Sequence, residues 1–321
     1  MKVFITGING FVGSHMSEFL LAKDYEVSGL ILERNKIEKI SGVIDEIHLY
    51  EGDVKNYGLL KDILAENRPE EVYHLAGLSH VQHSWKNEWE TYKVNFLGTY
   101  NLLEAIKELG FNTKVLIIGS SDEYGRVPQD KIPIQEDYPL MPLSPYGVSK
   151  ACQELLALRY ARSEGIHVVA VRAFNHTGPR QEPYFVCSDF AKQIAEVEKG
   201  LRGSVIYVGD LSAERDFTDV RDVVEAYYLL LKEGETGDVY NVCSGKGFSI
   251  KWVLDRLLTL TEKIINIKED PKRLRPVDIT MRIGDNRKIK EATGWQLRVP
   301  LERTLEDLYK YWMEKISVKT P

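Results

Sequence analysis

Two hydrophobic patterns alternate through the first half of the chain. Short apolar runs, Val3–Thr6, Val27–Leu32, Ile47–Tyr50, Glu71–Leu75, Val115–Ile118 and Val168–Val171, have the length and composition of strands. Between them, Gly13–Leu21, Tyr57–Glu66, Trp89–Leu109 and Pro145–Ser163 have helical length and spacing. Strands alternating with helices predict βαβ units, and hence an α/β, doubly wound parallel sheet covered on both faces. Past residue 172 the pattern loosens. Asn175–Pro183 is polar and rich in Gly and Pro, short strands mix with helices, and a polar helix is predicted at Leu301–Lys315. This predicts a first domain over residues 1–172, rejoined by part of 215–245, and a smaller α/β substrate lobe built mainly from 173–321.

Composition changes this picture little. Of 321 residues, 43% are hydrophobic and 28% charged, the balance of an ordinary globular chain. The net charge of −6 has no basic block in it, so no nucleic-acid partner is expected. An anionic ligand would need local positive charge from a few arginines and helix N-termini. Three scattered cysteines, Cys152, Cys187 and Cys243, suggest neither a disulfide framework nor a metal site. The start is too briefly apolar for a signal peptide and no stretch suits a membrane span, so a cytoplasmic protein is expected.

The candidate chemistry begins where the first strand ends. Gly7-x-x-Gly10-x-x-Gly13 follows it directly. A tight strand-to-helix turn needs Gly, and bare backbone N–H groups at a helix N-terminus suit a pyrophosphate. This makes a Rossmann-type site for NAD(P), with Gly7, Gly10, Phe11, Val12 and Gly13 at the phosphates. Asp53, after a strand in Gly52-Asp53-Val54, has two readings, an acceptor for an adenine amine or a helix N-cap. Leu75, Ala76 and Gly77 follow another strand and permit close approach to the cofactor. Asn95 either bridges backbone groups or is merely exposed. No acidic residue ends the second strand, and Arg34 follows soon after. This favours NADP(H) over NAD(H), which stays possible.

Tyr146 and Lys150, four residues apart, share a helix face. A neighbouring ammonium should lower the phenol's pKa and make a general acid/base. Ser120 lies just past the strand Val115–Ile118, at a carboxyl edge where such sheets bind ligands. Its hydroxyl could hydrogen-bond a carbonyl oxygen as charge develops there.

In this order the motifs resemble the extended short-chain dehydrogenase/reductases that act on nucleotide sugars. The likeness runs through Arg172-Ala173-Phe174-Asn175-His176-Thr177-Gly178-Pro179, Arg215–Asp222, Tyr240–Gly245 and Leu274-Arg275-Pro276. It implies a GDP-sugar substrate, and above all reduction of the C4 ketone of GDP-4-dehydro-6-deoxy-D-mannose. GDP-mannose 4,6-dehydration, or another dehydration or 4-epimerisation, is the alternative. A non-catalytic NADP-binding sensor is a third reading, opposed by the intact Ser120, Tyr146 and Lys150. The resemblance implies substrate contacts at Ser84, Ser121, Asp122, Glu123, Asn175 and Lys192, with Arg215 and Arg275 clamping the diphosphate. It also implies a homodimer through a four-helix interface built from Trp89–Leu109 and Pro145–Ser163. Dehydratases of this family carry Glu two residues before the loop tyrosine. Here that position is Asp122, one methylene shorter, which favours reduction.

Overall fold

The computed structural model describes residues 1–273 and 279–316. The chain opens with β1 (Lys2–Thr6), α1 (Phe11–Leu21), β2 (Glu26–Ile31), β3 (His48–Glu51), α2 (Tyr57–Asn67) and β4 (Glu71–His74). Short helices α3 (Val81–Ser84) and α4 (Glu88–Tyr92) then lead through a π turn at Lys93–Leu97 into α5 (Gly98–Leu109). β5 (Lys114–Ser120), α6 (Pro145–Glu164), β6 (Val168–Ala173), β7 (Asn175–Thr177), α7 (Val186–Glu198), β8 (Val205–Val208), β9 (Glu214–Asp219), α8 (Val220–Glu233) and β10 (Val239–Val242) follow. The last elements are β11 (Gly247–Ser249), α9 (Ile250–Leu258), β12 (Asn266–Glu269), β13 (Met281–Arg282), α10 (Arg287–Thr293) and α11 (Leu301–Lys315).

Seven parallel strands, in the order β10-β6-β5-β4-β1-β2-β3, make the main sheet among the described residues. The predicted doubly wound sheet is therefore present. Its inner strands are largely apolar because both faces are covered, whereas the edge strand β3 is half-exposed. Leu60, Ile63 and Leu64 of α2, Leu102, Leu103 and Ile106 of α5, and Ala157 and Tyr160 of α6 pack on one face. Met16 and Leu20 of α1, with Val223, Tyr227, Leu230 and Leu231 of α8, pack on the other. Strand order reverses between β1 and β4, so the carboxyl ends of these strands open a crevice there.

β10 and α8 belong to this sheet and its cover, although they come after β7 and α7 of the second lobe. That lobe has its own core, with Phe190 and Ile194 of α7, Val253 and Leu257 of α9, and Leu305, Leu308 and Trp312 of α11. Its small sheet centres on β9, paired with β7, β11 and β13. Ion pairs tie it to the first domain. Arg180 grips both oxygens of Glu18 on α1 at 2.6 and 2.7 Å, and Lys39 pairs with Glu182. The long predicted helix Trp89–Leu109 differs in detail, since the π turn at Lys93–Leu97 interrupts it. Asn95, the buried residue of this turn, lies at its centre.

Candidate active site

One cleft of about 800 Å³ runs between the two lobes at the carboxyl ends of the main strands. The glycine turn forms one wall of it. Gly7 has φ +70, and a Cβ on Gly13 would stand 2.3 Å from the Gly7 carbonyl oxygen, so the turn closes only without side chains. Gly10 N-caps α1 with no side-chain hydrogen bond, and the first N–H groups of a helix lack internal partners. Gly10, Phe11, Val12 and Gly13 all line the cleft. An uncapped helix N-terminus beside bare glycines fits the pyrophosphate of a dinucleotide.

Beneath the turn, a buried polar chain locks β1 to β4. Thr6 Oγ1 meets His74 Nδ1 at 2.8 Å and accepts from Ala76 N at 3.1 Å, and His74 Nε2 meets Thr99 Oγ1 at 3.0 Å. Burial, and then the Lys150 charge, push His74 down to about 3, so the ring stays neutral. Asn95, fully buried, accepts from Leu78 N at 2.8 Å and donates to Leu78 O at 3.1 Å and Ser149 Oγ at 2.9 Å. Of its two readings the bridge between backbone groups holds, and it pins the loop carrying Leu75, Ala76 and Gly77 against α6. Leu75 and Gly77 line the cleft.

Ser120, Tyr146 and Lys150 line the cleft together. Ser144 N-caps α6 by accepting from Gly147 N at 3.0 Å, with Pro145 in the first turn. Ser120 ends β5 and N-caps the single turn Ser121–Tyr124 in a capping box. Its Oγ accepts from Asp122 N at 3.1 Å, and Glu123 Oε1 accepts from Ser120 N at 2.6 Å. Lys150 Nζ donates to Ile118 O at 2.7 Å and Gln153 Oε1 at 2.8 Å. Burial lowers this lysine to about 8, with Glu123 pulling the other way.

The phenol behaves differently from expectation. Burial pushes Tyr146 above its ordinary value, and the hydrogen bond with Ser120 only partly opposes this. Burial thus outweighs the lowering expected from the local pair, and the Lys150 ammonium is directed to Ile118 O and Gln153 Oε1. A buried phenol that keeps its proton is a proton donor at neutral pH.

The family described as GDP-mannose 4,6 dehydratase matches residues 4–308. The chain belongs to that family. GDP-6-deoxy-D-mannose reductase of Pseudomonas aeruginosa is 35% identical over 315 residues, covering 98% of each chain. A GDP-mannose 4,6-dehydratase of Vibrio cholerae is 30% identical, covering 96% of this chain and 94% of its own. Among solved structures, RMD from Pseudomonas aeruginosa complexed with NADPH has a TM-score of 0.86 at 34% identity, covering 98% of this chain and 99% of that one. UDP-glucose 4-epimerase from Thermotoga maritima, with UDP-glucose, reaches 0.88 at 28% identity and the same coverage. The chain is an enzyme of the extended short-chain dehydrogenase/reductase type. Reductase and epimerase share this backbone almost equally, so side chains must decide the reaction.

Of the positions that the resemblance singled out, some line the cleft and others do not. Ser121, Asp122, Asn175 and Arg215 line the cleft. Ser84 does not. It is buried, donates to Val81 O at 2.6 Å and accepts from Tyr146 N at 3.2 Å, so it holds the start of α6 instead of meeting a substrate. Glu123 is wholly buried behind Ser120, held there by the hydrogen bond that its Oε1 accepts from Ser120 N. Lys192 leans over the Trp312 ring, 5.4 Å away, and toward Glu196 at 3.8 Å, on the side of α7 that packs on α11. Asp53 does not cap α2. Asn56 does, accepting from Leu59 N at 3.2 Å, while Asp53 accepts from Lys55 N at 2.9 Å. Val54 is buried under Gly98. Arg34 is exposed and 3.4 Å from Glu51. Arg275 lies outside the described residues.

The sequence reading missed Arg282. It is buried, lines the cleft, and reaches Asp122 Oδ1 through Nη1 at 2.9 Å. No motif contains it. It arrives because β13 pairs with β9 in a register that sets Arg282 beside Arg215. His80, Tyr184 and Phe185 were also missed. They cluster at the cleft, with His80–Tyr184 and Tyr184–Phe185 ring centroids 4.7 and 4.8 Å apart. Among the described residues, no helix is long and apolar enough to cross a membrane.

Proposed function

We propose that this protein reduces the C4 ketone of GDP-4-dehydro-6-deoxy-D-mannose to GDP-6-deoxy-D-mannose (GDP-D-rhamnose), with NADPH as the preferred reductant. The observation that carries this reading over dehydration is the Asp122–Arg282 pair. Dehydration needs a carboxylate that reaches the sugar ring and moves protons there. Asp122 is already one methylene shorter than the family's glutamate, and the buried guanidinium takes up its reach.

Held at the glycine turn and Lys150, a reduced nicotinamide would supply the hydride for C4. Tyr146 keeps its proton by burial and gives it to the C4 oxygen as charge develops there. Ser120 Oγ donates a hydrogen bond to the same oxygen and favours the alkoxide-like transition state. Lys150 stands one helical turn beyond Tyr146, where its ammonium would hold the cofactor ribose and restore the phenol's proton. Arg215 supplies charge for the sugar-nucleotide diphosphate. Arg34, released from its exposed partner Glu51, would meet a 2′-phosphate, which is the ground for preferring NADPH.

Incubation with NADPH and the keto sugar should consume one NADPH per sugar and yield the 6-deoxyhexose by mass spectrometry. NADH should act more weakly. Turnover of GDP-mannose with no net change in nicotinamide would overturn the assignment in favour of dehydration.

We also propose a homodimer, in the cytoplasm. Trp89, Phe96 and Tyr100 on the Glu88–Leu109 stretch and Leu155 on α6 are exposed large apolar side chains on the two helices that the family likeness pairs. Sedimentation should give twice the 36.8 kDa chain mass, and Trp89→Glu with Leu155→Glu should halve it. A monomeric wild-type chain would refute the dimer.

A further inference from the structure

Arg282 belongs to no motif and reaches the catalytic turn by the register of β13 on β9. Its side chain is 6% exposed, its Nε is buried without a hydrogen-bond partner, and its Nη1 stands 2.9 Å from Asp122 Oδ1. Trp85, Leu143 and Ile279 surround the pair in a side pocket of the cleft. Little water screens an ion pair in such surroundings, so the guanidinium anchors the carboxylate firmly. The other oxygen of the same carboxylate faces the catalytic hydroxyl. Ser120 Oγ lies 3.5 Å from Asp122 Oδ2 and accepts from Asp122 N at 3.1 Å. A hydroxyl bound to a carboxylate normally stands about 2.5–2.7 Å from it. At 3.5 Å, Asp122 is near enough to compete for the Ser120 proton and too far to hold it. Ser120 has one proton to give, and the ketone needs it.

We propose that Arg282 is a positioning residue for the reduction: by anchoring Asp122 through Oδ1 it keeps Oδ2 off Ser120 and leaves the Ser120 proton for the C4 oxygen. The inference rests on the carbonyl-reduction reading above. Without the guanidinium, a largely buried carboxylate is left in need of a donor. A hydrogen bond to a carboxylate is about twice as strong as one to a neutral ketone, so the Ser120 hydroxyl would turn to Asp122. The alkoxide forming at C4 would then keep the Tyr146 proton and lose its second donor. The loss falls on the transition state, where the charge develops, and hardly on ground-state binding. Arg215, the cross-strand neighbour of Arg282, is assigned the opposite kind of work, since a diphosphate clamp acts on binding.

The test is a double-mutant cycle on the full-length protein, read by steady-state reduction of the keto sugar with NADPH. Arg282→Met should lower kcat about ten- to hundredfold, up to the share of one oxyanion donor. KM for the sugar should stay within about threefold of wild type. Adding Asp122→Ala removes the competing acceptor and should recover most of the lost rate. Rates are taken per NADPH-binding site, below the melting temperature of every variant, so the rescue reports chemistry and not the amount of folded protein. Should Arg282→Met fail to fold, Arg282→Gln keeps one hydrogen bond to Oδ1 and should show a smaller kcat loss with the same rescue. An unchanged kcat, a loss confined to KM, or a kcat loss that Asp122→Ala does not recover would each overturn the inference and leave the proposed reaction standing. A wild-type protein that leaves the keto sugar unreduced would overturn the reaction itself.

Discussion

Tyr146→Phe should lower kcat for carbonyl reduction by roughly 10²- to 10⁴-fold, the usual share of a positioned general acid, while NADPH still binds. The phenol is buried, lines the cleft with Ser120 and Lys150, and is pushed above its ordinary value by desolvation. It therefore stays protonated at neutral pH, which suits donation to a forming alkoxide better than abstraction of a proton from an alcohol. Losing one oxygen leaves the glycine turn, Lys150 and Ser120 in place, so binding and chemistry should separate. Stopped-flow hydride transfer and NADPH fluorescence titration would measure the two. A kcat within about threefold of wild type would mean that the proton comes from elsewhere.

Arg172→Met should destabilise the fold by about 3–5 kcal/mol, the cost of removing one partner from a buried ion pair. Arg172 is buried behind the active-site turn. It donates to Glu154 from Nη2 at 2.7 Å and from Nε at 2.8 Å, to the Tyr124 hydroxyl at 3.0 Å and to Glu136 O at 2.7 Å. Glu123 Oε2 stands 3.9 Å away. Burial, and then repulsion from Glu154, raise Glu123 well above 4.5, and Arg172 opposes this. A carboxyl raised on folding binds its proton more tightly in the folded state. Its burial is tolerated below the ordinary glutamate range and costs stability as pH rises toward the folded value. Without Arg172 that cost grows. The stability deficit of the variant should be smallest near pH 4 and widen toward pH 8, read by urea denaturation at several pH values. A deficit under about 1 kcal/mol, or one independent of pH, would contradict the assigned network.

The same network explains which parts of the site a linear reading could reach. Ser120, Tyr146 and Lys150 were legible because each is tied to a local element. Ser120 ends a strand, and Tyr146 and Lys150 are one turn apart on a helix that begins at Ser144-Pro145. Glu123 was misplaced because its direction is set by the capping box to Ser120 N, which folds the side chain back behind β5. Lys192 failed for a similar reason, since the sequence does not say which side of α7 packs on α11. Ser84 bears on the start of α6 only because α3 is folded against it.

By itself the sequence determined the alternation of strands and helices, the parallel sheet and the glycine turn. Period, length and the conformational freedom of glycine are local properties of the chain. Tertiary structure alone decided the electrostatics. It buried Tyr146, and that burial raises the phenol where the local pair predicted a fall. It also carried Arg282 to Asp122 from 160 positions along the chain, and Arg273 to Asp189 from 84. Burial and charge pairing depend on which surfaces meet, and those meetings come from strand register and lobe packing.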